Sequence, residues 1–246
     1  GPHGITAAYG GDANFAVSTS FVLTQVVNRA NTTTVITSDV NPSLLGQLVT
    51  FTATVTSTEG TPTGTVSFNE GATTLGTGTL NAAGVATFST STLTVGSHTI
   101  IAVYGGDANF AISTSPALVQ VVNRANTTTT ITSSVNPSAY SQLVTFTATV
   151  SAAVSVPTGT VTFRDGATTL GTGTLVGGAA TFSTSTLAAG SHNITADYGG
   201  DPNYNVSTSP CLIQVVNQAV PTTHRTHLGR YGEPEIGSIS SRSCLS

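Results

Sequence analysis

A serine, a histidine and an aspartate fall within one short stretch of this chain: Ser97, His98 and Asp107. Those residue types can serve as nucleophile, general base and orienting carboxylate. The histidine–aspartate spacing recurs as His3 with Asp12 and His192 with Asp201. Between the two groups, His98, Ile100, Ala102 and Tyr104 alternate as one face of a β-strand. About nine residues of strand span roughly 30 Å, whereas a triad needs contacts of about 3 Å. A triad within one domain is thereby excluded. His98 is expected at the rim of a core, with a nearby carbonyl as its partner.

The stretch Gly105-Gly106-Asp107-Ala108-Asn109 raises calcium binding. Its counterparts carry Asp12 with Asn14 and Asp201 with Asn203. Calcium takes about six to eight oxygens, usually with several carboxylates. Each loop offers one carboxylate and one amide. Glu59 could share that end of the domain, but the second copy has Ser151-Ala152-Ala153-Val154-Ser155-Val156 there, without an acid. A Gly-Gly turn whose Asp and Asn cap backbone amides is therefore expected, with no metal or cofactor. Calcium at Asp107, Asn109, Asp201, Asn203, Asp12 and Asn14 is the alternative.

Other candidates are weaker. Glu70-Gly71 and Asp165-Gly166 are explained as hairpin turns. His224 and His227 have a spacing seen in metal sites but no Cys or acidic neighbours, so they read as solvated tail. Asn31, Asn126, Asn193 and Asn205 head glycosylation sequons, which a Thr-rich chain produces by chance. Cys211 and Cys244 make no disulfide framework; Cys211 stands where the preceding copy has Ala117. Only 7% of residues are charged, there is no Lys, and the net charge is −4. Such a surface gives little steering towards nucleic acid or anionic lipid. No apolar run approaches the roughly 20 residues of a membrane span.

The elements that hold these residues come in repeats. Gly96 to Phe110 has counterparts at Gly1 to Phe15 and Gly190 to Tyr204, offset by 95 and 94 residues. A period that long is one domain per repeat. Residues 1–30 match the last third of a repeat, with strand-like runs His3 to Tyr9 and Phe21 to Val27; a frayed hairpin, or one leaning on its neighbour, is expected. Residues 31–125 and 126–219 are complete copies. Val49-Thr50-Phe51-Thr52-Ala53-Thr54-Val55 and Val144-Thr145-Phe146-Thr147-Ala148-Thr149-Val150 put apolar residues and Thr on opposite faces. Seven short strands per copy, with no amphipathic helix, predict an all-β antiparallel sandwich. Residues 220–246 lose the Thr alternation and read as a disordered tail. The chain opens inside a repeat and reads as a piece of something longer. The joint Val121 to Asn126 is short and not Gly/Ser-rich, which predicts a rod with limited bending.

The motifs Pro-Thr-Gly-Thr-Val-Ser-Phe-Asn-Glu-Gly (62–71), Leu-Gly-Thr-Gly-Thr-Leu (75–80), Gly-Ser-His-Thr-Ile (96–100) and Tyr-Gly-Gly-Asp-Ala-Asn-Phe (104–110) carry a resemblance. In this order and spacing they resemble the bacterial immunoglobulin-like repeat domains of large exported proteins. The resemblance covers residues 1–219. It implies tandem immunoglobulin-like sandwiches, an extracellular or cell-surface setting and a spacer or adhesive role, with no catalytic residues to carry over. The favoured expectation is a non-enzymatic stalk whose partners are neighbouring repeats. The alternative is an adhesive module that binds a glycan or host protein through end loops, with Phe110 and Tyr204 as the aromatics best placed to do it, although each is expected to cover the end of its core.

Overall fold

The computed structural model describes residues 1–220. The tail, His224, His227 and Cys244 therefore lie outside the described residues. The chain divides into two compact units, Gly1–Ala125 and the part from Asn126 onward.

The first unit opens with a hairpin. Strand β1 (Pro2–Ile5) pairs antiparallel with β4 (Leu23–Val26), and β2 (Ala8–Tyr9) with β3 (Ser18–Thr19). Every residue of these strands is exposed. The chain then passes through Ala30, which exchanges backbone hydrogen bonds with Asn109 and Ala111.

A two-sheet sandwich follows. β5 (Thr33–Ser38), β7 (Val49–Thr56) and β10 (Val85–Thr90) form one sheet in the order β10-β7-β5. The other contains β6 (Ser43–Leu44), β8 (Thr65–Glu70), β9 (Thr73–Thr79), β11 (Gly96–Tyr104) and β13 (Leu118–Asn123), in the order β6-β13-β11-β8-β9. The short β12 (Ser113–Thr114) pairs with the end of β11. The seven expected strands are present, and β6 and β12 are additions of two residues each.

Period-two patterning decides the core. On β7, Val49, Phe51, Ala53 and Val55 are buried while the threonines between them face outward. Val66 and Phe68 of β8 meet them, with Ile100, Ala102 and Tyr104 of β11. β-branched residues suit this half-buried pleat on both faces, since their stiff side chains lose little freedom there.

The glycines of β9 have a packing reason. A Cβ on Gly76 would sit 2.1 Å from Phe88, whose ring lies across that strand and 5.7 Å, centroid to centroid, from Phe68. Phe88 thus fills the space that Gly76 leaves.

The second unit repeats the plan. Its smaller sheet is β14 (Thr127–Ser133), β16 (Val144–Ala152) and β19 (Ala179–Thr184). Its larger sheet runs β15 (Ser138–Ala139), β22 (Leu212–Asn217), β20 (Gly190–Tyr198), β17 (Thr160–Asp165), β18 (Thr168–Thr174), with β21 (Ser207–Thr208) beside β20. Phe182 lies over Gly171 as Phe88 lies over Gly76. No described helix is long and apolar enough to cross a membrane.

Candidate functional site

The Gly-Gly-Asp loop leaves the end of β11. Gly106 holds a left-handed φ of 76°, where an added Cβ would meet the Phe110 carbonyl at 2.9 Å. The turn folds Asp107 back on its own backbone. Its Oδ1 accepts the N–H groups of Asn109 and Phe110, each at 2.8 Å. Its Oδ2 accepts the Thr63 N–H at 3.1 Å and the Thr63 hydroxyl at 2.6 Å. Tyr104 closes the ring by donating its hydroxyl to the Thr63 carbonyl at 2.8 Å. The arrangement is a clasp between the end of β11 and the approach to β8.

The second unit reproduces it. Asp201 accepts from Asn203 and Tyr204 on one oxygen and from the N–H and hydroxyl of Thr158 on the other. Tyr198 donates to the Thr158 carbonyl at 2.7 Å. The Thr63 hydroxyl, with the backbone N–H groups, holds the Asp107 carboxyl below its ordinary range against the opposing effect of desolvation. At Asp201 burial pushes the other way, but Thr158 and the backbone donors outweigh it and the carboxyl is again lowered. Burial and then the Asp201 charge push the Tyr198 hydroxyl up to about 12.

In the hairpin, Asp12 makes the same turn, accepting from Asn14 and Phe15 at 2.8 Å. Its second oxygen takes the Tyr9 hydroxyl at 2.7 Å instead. The three asparagines named with these aspartates, Asn14, Asn109 and Asn203, enter the turns through their backbone N–H groups. Among the described residues, no three His, Cys, Asp or Glu side chains gather where they could hold a metal ion.

His98 lies at the core rim and is kept apart from Asp107. One ring nitrogen meets the Thr94 carbonyl at 2.9 Å and the other meets Glu70 at 2.9 Å. His192 does the same with Ala188 and Asp165. Glu70 and Asp165, read from the sequence as turn residues alone, are thus histidine partners as well. Ile100 pairs with Glu70 across the ladder, which brings the acid to the residue two places before it on β11. The Ala188 carbonyl raises the His192 value; burial opposes this, and Asp165 adds to the rise.

Gln120 and Gln214 were not anticipated. Both are fully buried. Gln120 donates to the Val40 carbonyl at 2.9 Å and accepts from Ser38 at 2.8 Å, joining the start of the chain's path between sheets to β13. Gln214 makes the equivalent bonds to Val135 and Ser133. A glutamine at the inward position of an alternating strand, in every copy, was the available signal.

A family model described as "Bacterial Ig-like domain (group 3)" matches residues 36–123 and 131–217. The chain belongs to the bacterial immunoglobulin-like domain family. No curated protein matches the sequence. Among solved structures, the Clostridium thermocellum CbhA fibronectin(III)-like modules align over 78% of this chain and all of that one, at 20% identity and a TM-score of 0.34. The mouse nectin-like molecule 4 ectodomain aligns over 78% of this chain and 66% of that one, at 14% identity and a TM-score of 0.34. The Yersinia pseudotuberculosis adhesin InvE aligns over 79% and 65%, at 17% identity and a TM-score of 0.35. These scores are low, and the family assignment rests on the sequence match.

Phe110 and Tyr204, the aromatics considered for ligand contact, are buried and cap the ends of their cores, as expected from the sequence. The hydroxyl of Tyr204 reaches the Val154 carbonyl and Ser155, which ties it down further. Their position just after a Gly-Gly turn forces this, because the turn folds the chain back over the open end of the sandwich. Cys211 is exposed and, among the described residues, has no cysteine partner.

Proposed function

We propose that the chain is a non-enzymatic stretch of an extracellular bacterial surface protein that works in adhesion, built from tandem Ig-like modules. The observation that carries this reading is the pair of back-to-back family matches, with the polar groups of each module turned to its own closure. The repeated His and Asp residues act as rim and turn fasteners, and every described buried side-chain polar atom has a partner.

Two finer roles fall within that setting. Spacing is supported by the hydroxyl-coated outer faces of the smaller sheets and by the burial of Phe110 and Tyr204. Direct binding is supported by an apolar group on the second module. There Tyr140 and Leu143 follow β15 and are exposed, as are Ile213 and Val215 of the adjoining β22. Binding of the full chain to glycan arrays and immobilised host surface proteins separates the roles. Saturable binding that Tyr140→Ala and Leu143→Ser abolish supports direct adhesion. No binding on either surface supports spacing.

A further inference from the structure

The last long strand of each complete module lies next to the edge of its larger sheet, under a short cover. β6 reaches only Val122 and Asn123 of β13, running parallel with Ser43 opposite Val122. β15 covers β22 in the same way, with Ser138 opposite Val216. Both strands extend past that cover, back to Leu118 and Leu212. On the uncovered length Val119 and Ile213 are 51% and 50% exposed. Unpaired N–H and C=O groups beside exposed apolar side chains are a template for another chain.

Asn41 and Asn136 close that length with their side chains. The Asn41 Nδ2 donates to the Val119 carbonyl at 2.7 Å, and its Oδ1 accepts the Val121 N–H at 3.0 Å. Asn136 does the same to Ile213 and Val215, at 2.7 and 3.0 Å. The register explains the fit. A parallel partner donates to one carbonyl and accepts the N–H two residues further on, spanning the residue between. Asn41 spans Gln120 in this way. It stands two places before Ser43, and Gln120 stands two places before Val122. The carboxamide thus adds one more rung to the parallel ladder, because it carries a carbonyl and an N–H side by side as a peptide group does. Both asparagines are exposed, so water competes for these bonds and they add little to stability. Their larger effect is on what the edge offers to another chain.

We propose that Asn41 and Asn136 are gatekeepers that keep the edges of β13 and β22 from pairing with a second copy of this chain. A main-chain rung would offer a fresh edge beyond it, whereas the carboxamide satisfies the edge and ends there. A second copy is the partner guarded against, because the two edges are nearly the same strand: Leu-Val-Gln-Val-Val-Asn in β13 and Leu-Ile-Gln-Val-Val-Asn in β22. Like edges are self-complementary when related by a two-fold axis. This role holds whether the modules space or adhere.

The test is sedimentation velocity of the full chain carrying Asn41→Ala with Asn136→Ala, over a concentration series well below the melting temperature. The variant should associate at concentrations about tenfold or more below any at which the original chain does, because two edge groups per module gain a partner. Hydrogen exchange by NMR places the contact. The Val121 and Val215 amides should lose protection in the dilute variant and regain it on association. Two further proteins separate an opened edge from a weakened fold. Gly76→Ala with Gly171→Ala disturbs β9 and β18, at the far side of each larger sheet, and should associate no more than the original. Adding Val119→Lys and Ile213→Lys to the alanine variant should return it to the monomer without restoring its melting temperature, since a charged edge repels a like strand. If the alanine pair folds poorly, Asn136→Ser alone leaves the first module's bridge in place and is read in the same way. Three results would overturn the proposal. The folded asparagine variant could associate no more than the original chain. The glycine variant could associate equally. Association could persist with the lysines in place, or leave the Val121 and Val215 amides unprotected.

Discussion

Replacing Gly76 and Gly171 together by alanine should destabilise both modules, and the loss should vanish when the facing rings are removed. The new Cβ atoms would lie 2.1 Å from Phe88 and 2.3 Å from Phe182. Carbon atoms rest at about 3.5–4.0 Å, so each ring must retreat by about 1 Å or more. Phe68 and Phe163 stand behind the rings at centroid distances of 5.7 and 5.8 Å and limit that retreat. Overpacking of this kind costs about 1–3 kcal/mol. The stiffer unfolded chain returns about 0.4–1 kcal/mol. The net loss is about 1–2 kcal/mol per module. For a domain of this size that lowers Tm by roughly 5–15 °C. Thermal unfolding by circular dichroism of four proteins measures it: the original chain, the Gly→Ala pair, Phe88→Ala with Phe182→Ala, and all four changes together. In the ring-less background the Gly→Ala pair should be neutral or slightly stabilising. An equal drop in both backgrounds would refute the steric account, and so would no drop in the original.

Gln120→Leu with Gln214→Leu should cost about 2 kcal/mol or more per module, because Val40, Ser38 and their counterparts lose buried partners; urea unfolding checks this. His192 should titrate above 6.5 in an NMR pH series. Because its folded value is raised, its stabilising contribution is full below the unfolded value and fades as pH rises through the folded one, so a His192→Gln variant should show a flatter stability profile across that window. Millimolar calcium should leave the melting temperature as it is in excess chelator, since Asp107 and Asp201 already serve four donors each; a rise of several degrees would show that the folded loops bind the ion. Thr63→Val should raise the Asp107 carboxyl value towards the ordinary range, by removing the hydroxyl that does most to hold it down; the carboxyl carbon shift in an NMR titration reports it.

Much of this architecture is local and so could be read directly. Alternation along a strand fixes which side chains share a face, whatever lies opposite. Val49 to Val55, Val66 with Phe68, and His98 to Tyr104 therefore declared their buried sides in advance. Gly-Gly-Asp and Glu-Gly marked turns by their backbone chemistry alone. The repeat period announced the modules, and its motifs their family.

The fasteners were a different matter, because each joins residues remote in the chain. Asp107 finds Thr63 across 44 positions, His98 finds Glu70 across 28, and Gln120 finds Ser38 across 82. Period two says that Gln120 points inward but not which carbonyl waits there. Gly76 reads as a weak point in a strand until the sheet order lays Phe88 across it. Sequence by itself sets faces, turns and repeats, since these depend on neighbouring backbone geometry. Only the tertiary structure sets partners, because strand order and register decide which distant groups come within hydrogen-bond reach.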